Sequence, residues 1–157
     1  MTCGASGMQD ADLNRDAQLF AYWDLVLDHS PGPRWLEHPA IAESARRALR
    51  DMDGILCGVH AWVLLPTHIH VLADACPVSG SSPGMLHVAE ALKAPVAHRI
   101  RSQLRVSTPV WEAGAHVHVL DSTADLDRTL RYLRQEPVRA GLVSLPEEWE
   151  WRGERGE

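Results

Sequence analysis

In the stretch Ala61-Trp62-Val63-Leu64-Leu65-Pro66-Thr67-His68-Ile69-His70-Val71-Leu72, an apolar run meets Pro66, and a second run opens with His68 and His70. Apolar, β-branched runs of this length predict strands, and the very short link Pro66-Thr67 predicts an antiparallel hairpin. We therefore place the second strand of the chain at 55–65 and the third at 68–75. We expect the other elements to pack around this hairpin.

The spacing of His68 and His70 makes this pair a candidate metal site. Side chains alternate between the faces of a strand, so both imidazoles leave one face of the third strand together. Ile69 and Val71 then pack on the opposite face. Two histidines on one face can hold one divalent ion. The alternative is a pair of surface or hydrogen-bonded side chains, which is the commoner state of histidine, and this chain contains 9 histidines.

The composition is typical of one soluble globular domain. Of the 157 residues, 45 % are hydrophobic and 23 % are charged, which suffices for a core. No apolar run approaches the roughly 20 residues of a membrane span, and the amino end has no signal pattern, so we expect a cytoplasmic protein without a membrane partner. The spacing of Cys3, Cys57 and Cys76 predicts reduced thiols rather than disulfides or a zinc site.

The distribution of charge is more informative than its sum. The net charge of −6 argues against a protein that is coated with positive charge for nucleic-acid binding. A local basic face remains possible, because cations are concentrated between residues 91 and 139. These residues are Lys93, Arg99, Arg101, Arg105, Arg128, Arg131, Arg134 and Arg139.

The first part of the chain contains a lead-in, a strand and a helix. Residues 1–17 are small, polar and aperiodic, which predicts a flexible N-terminal lead-in to a single domain at 18–157. The aromatic and aliphatic run at 19–27 predicts the first strand. A helix then runs from Pro39 to a stop at Gly54, with apolar residues at helical spacing.

The second half of the chain supplies two helices and a strand. A helix is predicted over 85–104, with Pro95 expected to kink or split it. Residues 116–120 read as a fourth strand, and Ser122 or Thr123 caps a last helix that ends near Pro137. The tail 149–151 is expected to cover an edge of the core. This order predicts an α+β fold close to ferredoxin-like, an antiparallel sheet of about four strands with helices packed on one face.

Several stretches of the chain together resemble a known family, the REP-associated tyrosine transposases, which are relatives of the single-tyrosine HUH transposases of small insertion sequences. The resemblance extends from about Ile55 to Trp151, in matching order and spacing, and it implies the HUH endonuclease fold. It also implies a metal-dependent endonuclease and strand transferase that acts on single-stranded DNA, often at a hairpin made by a palindromic repeat. The stretches that carry it are Trp62–His70, Pro109–Trp111, Tyr132–Leu142 and Trp149–Trp151.

The resemblance also implies roles for individual residues. His68 and His70 would bind a divalent ion, Mg²⁺ or Mn²⁺, and Glu136 would complete its shell. Tyr132 would attack the DNA, giving a 5′-phosphotyrosine and a free 3′-OH. The i, i+4 spacing of Tyr132 and Glu136 puts both on one helical face, so both can address one phosphate. The alternatives are a half-buried structural aromatic for Tyr132 and a solvated charge for Glu136.

The chain departs from the family pattern at several positions. Glu136 stands where an amide is usual, which adds negative charge beside the phosphate. The family often has an arginine shortly after the histidine of the fourth strand, but here His118 is followed by Val-Leu-Asp. Trp111 could stack a base, or it could anchor a loop. The residues that we expect to contact DNA are Lys93, Arg99, Arg101, Arg105, Trp111, His118 and Arg131.

Two other functions are compatible with these residues. The first is a domesticated protein that binds repeat DNA but has weak or no cleavage activity. The second is a histidine-triad nucleotide hydrolase, although Leu72 occupies the position of a third alternating histidine. The family that the chain resembles includes both dimers that exchange the tyrosine helix and self-sufficient monomers, so the resemblance allows a homodimer and leaves open whether Tyr132 acts within its own chain or in the partner.

Overall fold

The computed structural model describes residues 25–29, 32–75, 84–120 and 122–156. The chain divides into two units, Met1–Gly32 and Pro33–Glu157. The predicted boundary at residue 17 lies outside the described residues. The described part of the second unit contains the helices α1 (Pro39–Met52), α2 (Met85–Leu104) and α3 (Thr123–Arg139), the strands β1 (Cys57–Leu64), β2 (Ile69–Ala75) and β3 (Arg152–Glu154), and 3-10 turns at Trp35–Glu37 and Pro146–Glu148.

The predicted hairpin is confirmed as the centre of an α+β fold. β1 and β2 pair antiparallel, with Leu64 opposite Ile69 and Val63 opposite His70. The turn is closed by the backbone N–H of Leu65, which donates to the carbonyl of His68 at 2.9 Å. β3 pairs with the other edge of β1, which gives the strand order β2-β1-β3.

A β-bulge divides β1 into two halves. Val59 lies opposite Ala73, whereas Ala61 lies opposite Leu72, so His60 is an extra residue in β1. An extra residue shifts the alternation of side chains by one position. Odd-numbered residues of β1 therefore face one side of the sheet before the bulge and the other side after it.

Helices pack on both faces of the sheet, so the predicted single helical layer is wrong. On one face, α1 and α2 contribute Leu49 and Leu92 to a core that includes Leu64, with Ile69 and Val71 packed against it. On the other face, Leu133 and Leu130 of α3 pack on a smaller cluster of Ala61, Val63 and Leu65. A strand that is apolar on both faces needs a packed layer on each side of the sheet.

The ends of the helices follow from local sequence. Pro39 opens α1, where its missing N–H costs nothing. The Ser122 hydroxyl accepts a hydrogen bond from the Asp125 backbone N–H and caps α3, as predicted. Of the kink or split predicted at Pro95, the split is wrong, because α2 is continuous through this residue. Pro95 is exposed, so the carbonyl that it leaves without a helical partner can be solvated. None of the described helices is both long and apolar enough to cross a membrane.

Two predicted strands differ from the structure. Of the stretch 19–27, the structure describes only 25–27, which lie in a helical turn over 25–28, and the rest lies outside the described residues. A short apolar run does not distinguish helix from strand by its periodicity. Residues 116–120 are described and are not in a strand, because none of the described segments pairs with them. Val117 and Val119 are 49 % and 69 % exposed there.

The tail covers an edge of the core, as predicted. The Trp149 indole Nε1 donates to the carbonyl of Leu64 at 3.0 Å. The Leu64 N–H in turn donates to the carbonyl of Trp151 at 2.9 Å. Gly153 in β3 lies under the ring of Trp62, where a Cβ atom would come within 2.7 Å of the indole. The tail therefore docks β3 tightly on β1.

Candidate metal centre

The two histidines of the hairpin lie together on the side of the sheet that α3 covers. His70 is opposite Val63, and opposed residues of antiparallel strands point to the same face. Val63 belongs to the cluster under α3, so His70 also faces α3. His68 precedes β2, and its ring centroid is 4.9 Å from that of His70, with the planes at 88°. Ile69 packs on the opposite face, as the alternation predicts.

Glu136 joins the two imidazoles from α3. Its side chain is fully buried, at 0 % exposure, so it is not a solvated charge. Its Oε2 lies 3.8 Å from Nε2 of His70. One potential ligand atom from each of His68, His70 and Glu136 lies within 4.8 Å of the others. In the part of the chain that the structure describes, this is the one such group of three His, Cys, Asp or Glu residues.

The donor set fits a divalent metal ion. Two imidazole nitrogens and a carboxylate oxygen suit borderline divalent ions such as Mn²⁺, while Mg²⁺ favours oxygen ligands more strongly. The Thr67 hydroxyl lies 2.9 Å from Nδ1 of His68, so Nε2 is the nitrogen through which His68 can bind an ion. The site therefore has ligands of suitable chemistry and a contact that orients one of them.

Arg139 supplies the positive charge beside Glu136. Its Nη2 donates to Oε1 of Glu136, and the same nitrogen donates to the backbone carbonyl of Tyr132 at 2.9 Å. The Arg139 side chain is 39 % exposed, whereas the carboxylate is buried. A buried carboxylate is costly unless it is paired, and the guanidinium provides that partner.

Tyr132 lies on the same side of the sheet as the histidines. It is partly buried and packs against the cluster of Ala61, Val63 and Leu65. The guanidinium carbon of Arg139 is 3.6 Å from the centroid of its ring, in a cation–π contact. Tyr132 precedes Glu136 by one helical turn on α3, so the two share a helical face.

Two of the residues that are predicted to contact DNA are hydrogen-bonded to the backbone of the protein itself. The Trp111 indole is half-buried against the core, and its Nε1 donates to the backbone carbonyl of Lys93 at 3.0 Å. The Lys93 ammonium donates to the backbone carbonyls of Glu112, at 2.8 Å, and Gly114. Both side chains therefore hold the loop 109–114 against α2. Between that loop and α2 is a groove of about 280 Å³, which Arg101 helps to line.

The other predicted contacts are mostly exposed. Arg99 and Arg101 are exposed on α2, Arg105 is exposed at its C-cap in a left-handed conformation (φ 53°), and Arg131 is exposed on α3. His118 is half-buried and is not part of the three-residue group.

His118 lies instead near the start of α3. The Ser122 hydroxyl and then Arg128 hold the pKa of Asp125 below its usual value, and the charge of His118 contributes slightly. Asp125 precedes Glu136 by about three helical turns. The structure therefore gives His118 a neighbourhood at the opposite end of α3 from Glu136.

Arg139 is the site residue to which the sequence assigned no role. It follows Tyr132 by seven positions and Glu136 by three, and residues at these spacings share one helical face. That spacing is the signal that could have identified it.

Comparisons with protein-family models, with curated proteins and with solved structures find no match to this chain.

Proposed function

We propose that the protein is a metal-dependent endonuclease and strand transferase for single-stranded DNA, a transposase of the REP-associated type. The observation that carries the proposal is a group of two imidazoles and one carboxylate, the buried His68 and Glu136 and the partly buried His70, on the side of the sheet that also holds Tyr132. A phosphodiester reaction needs a nucleophile and a cation near the same phosphate. This arrangement brings candidates for both into one region.

The proposal includes the ferredoxin-like HUH fold. Its support is a hairpin that carries the histidine pair on the face covered by α3, the helix that carries Tyr132. The three strands of the described sheet are antiparallel, which is compatible with such a fold. The proposal includes a fourth strand, which would pair with β2 or with β3.

In this mechanism the residues of α3 and the hairpin divide the work. An ion held by His68, His70 and Glu136 would neutralise charge on the non-bridging oxygens of the phosphate. The Tyr132 oxygen attacks phosphorus, its O–H bond breaks, and the proton passes to solvent. The bond from phosphorus to the 3′ oxygen breaks, and that oxygen takes up a proton. The products are a 5′-phosphotyrosine and a free 3′-OH, which can reverse the step and so favours joining over hydrolysis.

Single-stranded or hairpin DNA is the proposed partner. Arg99, Arg101 and Arg105 are exposed along the second half of α2 and at its C-cap, and Arg131 is exposed on α3. Exposed guanidinium groups contact phosphates without regard to sequence, and binding through them weakens as the salt concentration rises. The negative net charge of the whole chain makes such a local face necessary for DNA binding.

The test is the formation of a covalent protein–DNA adduct. The protein is incubated with end-labelled hairpin DNA and Mn²⁺ or Mg²⁺, denatured and separated by electrophoresis. We expect a shifted band that needs the ion and disappears in Tyr132→Phe. Tyr22→Phe is the matched control, because Tyr22 is the one other tyrosine in the sequence, and its band should remain. An unchanged band in Tyr132→Phe contradicts the proposed nucleophile.

A second candidate is a repeat-DNA-binding protein without cleavage activity. It is favoured by the ion pair between Arg139 and Glu136, which balances the charge of the buried carboxylate without any metal. In that case the hairpin DNA binds, but no covalent band forms with either ion. The same experiment therefore separates the two candidates.

A further inference from the structure

Arg139 contacts both α3 residues of the proposed site. One guanidinium nitrogen donates to Oε1 of Glu136 and to the backbone carbonyl of Tyr132, and the guanidinium carbon lies over the Tyr132 ring at 3.6 Å. These contacts leave Oε2 of Glu136 on the side of His70, at 3.8 Å from Nε2. The two carboxylate oxygens of Glu136 therefore have different neighbours.

The charge of this pair bears on how the site can accept a phosphate. A carboxylate ligand alone adds one negative charge beside a negatively charged phosphodiester, and an amide ligand adds none. Paired with Arg139, Glu136 contributes no net charge, because the two formal charges cancel. The direct ion pair and the full burial of the carboxylate make this cancellation local.

We propose that Arg139 is a positioning residue that makes the Glu136 carboxylate act as a charge-neutral third ligand and holds the ring of Tyr132 beside it. The inference rests on the proposed function, since it concerns the same site. It gives a physical reason why a carboxylate can serve as a ligand beside a negatively charged phosphate. The arginine compensates for it from the next turn of the same helix.

An ordinary structural ion pair would behave differently. If Arg139 only stabilised the fold, its removal would leave the affinity for a metal ion unchanged or would weaken it. If Arg139 cancels the charge of Glu136, its removal strengthens the attraction between the site and a cation. In a protein that lacks the Glu136 carboxylate, removing Arg139 also raises the affinity for the ion, because it relieves the repulsion between the guanidinium and the cation. The direction of the change therefore separates the two roles.

The experiment measures Mn²⁺ affinity by calorimetry without DNA, for the full chain and the variants Glu136→Gln, Arg139→Gln and the double substitution. Loss of one unit charge beside the ion changes affinity by about tenfold. We expect Arg139→Gln to bind Mn²⁺ about tenfold more tightly and Glu136→Gln to bind it at least tenfold more weakly. The double variant should bind more tightly than Glu136→Gln by about tenfold.

If Arg139→Gln alone does not fold, the comparison of the double variant with Glu136→Gln still tests whether the charge of Arg139 acts on the bound ion, since neither contains an unpaired buried carboxylate. Arg134→Gln is the matched control. It breaks another ion pair of α3, with Glu154 on β3, and should leave Mn²⁺ affinity unchanged. Equal or weaker binding by Arg139→Gln, or no gain in the double variant, overturns the proposal. So does a wild-type protein that binds no Mn²⁺.

The contact with Tyr132 is tested by the rate of adduct formation at saturating Mn²⁺ and DNA. We expect the rate of Arg139→Gln to fall at least tenfold even though its metal binding tightens. An unchanged rate overturns the role of Arg139 toward Tyr132. A wild-type protein that forms no adduct contradicts the proposed function, whereas the metal measurements still decide the role of Arg139 toward Glu136.

Discussion

At the scale of single residues, burial decides what Glu136 can do. A carboxylate at 0 % exposure cannot be solvated, so its charge must be balanced by Arg139, by a metal ion or by a proton. The structure supplies the first of these through the ion pair with Oε1. Oε2 then lies toward His70, which is the direction from which an ion could bind.

Trp111 is expected to be an anchor of the loop 109–114 rather than a platform for bases. Its ring packs on the core and its Nε1 donates to the Lys93 carbonyl. Trp111→Leu should therefore lower the free energy of unfolding by about 1–3 kcal/mol, through lost packing and a lost hydrogen bond. The affinity of Trp111→Leu for single-stranded DNA should change by less than about threefold. Loss of a tryptophan that stacks on a base would lower the affinity by more than this.

Urea denaturation and a fluorescence binding titration check the two parts of this prediction. Arg101→Gln serves as the comparison, since Arg101 is exposed beside the same groove. This substitution should weaken DNA binding and reduce the salt dependence of that binding. A loss of affinity of about tenfold or more in Trp111→Leu would identify a stacking platform instead.

The histidine pair could be predicted from residue order alone, but its partners could not. Alternation along a strand fixes the shared face of His68 and His70 without knowledge of the rest of the chain. The burial of Glu136 depends on the rotation of α3 against the sheet, which the apolar spacing of Leu126, Leu130 and Leu133 only approximates. The role of Arg139 depends on that same rotation, because its spacing from Tyr132 and Glu136 indicates only that the three residues share a helical face.

At the scale of elements, the contact between α3 and β3 is a bidentate ion pair. Arg134 donates through Nε to Oε2 of Glu154 at 2.8 Å and through Nη2 to Oε1 at 2.6 Å. This hydrogen bonding, aided by the positive charges of Arg134 and Arg152, holds the pKa of Glu154 below its usual value, against a smaller opposing effect of burial.

The lowered pKa of Glu154 predicts a pH dependence of stability. The charged form is favoured in the folded state, so its contribution is complete above the ordinary pKa of about 4.3 and is lost as the pH falls through the lowered folded pKa. Glu154→Gln should be less stable than the wild type by about 1 kcal/mol at neutral pH, since one partner is exposed. The difference should disappear in acid, as measured by urea denaturation across the pH range.

Glu147→Gln is the control, because Glu147 is exposed in the 3-10 turn and should give a small difference throughout. A Glu154→Gln difference that persists unchanged into acid would contradict the stabilising role of the ion pair.

Elements with their own periodicity were predictable, and elements defined by pairing were not. The stripe of Ile41, Ala45 and Leu49 specifies α1 by itself. β3 is a strand because it pairs with β1, and its sequence Arg-Gly-Glu carries no apolar alternation. Conversely, residues 116–120 have the alternation but no described partner, so strand propensity alone did not make them a strand.

At the scale of the whole molecule, metal binding and stability should be linked. An ion that binds only the folded chain at one hundred times its dissociation constant adds about 2.7 kcal/mol to the free energy of unfolding. Mn²⁺ should therefore raise the melting temperature by several degrees, and a chelator should reverse the shift. His70→Ala should remove the response, while His87→Ala, at an exposed position of α2, should keep it. A shift that survives in His70→Ala would mean that the ion acts elsewhere.

The extra residue in β1 has a consequence for how the chain tolerates changes of length. If His60 is left out, the residues on either side of it alternate regularly, and each keeps its partner in β2 and its own core. If Trp62 is left out instead, His60 must enter the layer beneath α3 and Ala61 must fill the space of an indole. Deletion of residue 60 should therefore cost the hydrogen bond that its carbonyl accepts from the Arg155 N–H and the contact of its ring with Asp74, whereas deletion of residue 62 should disturb both cores. Position 60 is thus the place in β1 where the loss of one residue leaves the register with β2 unchanged.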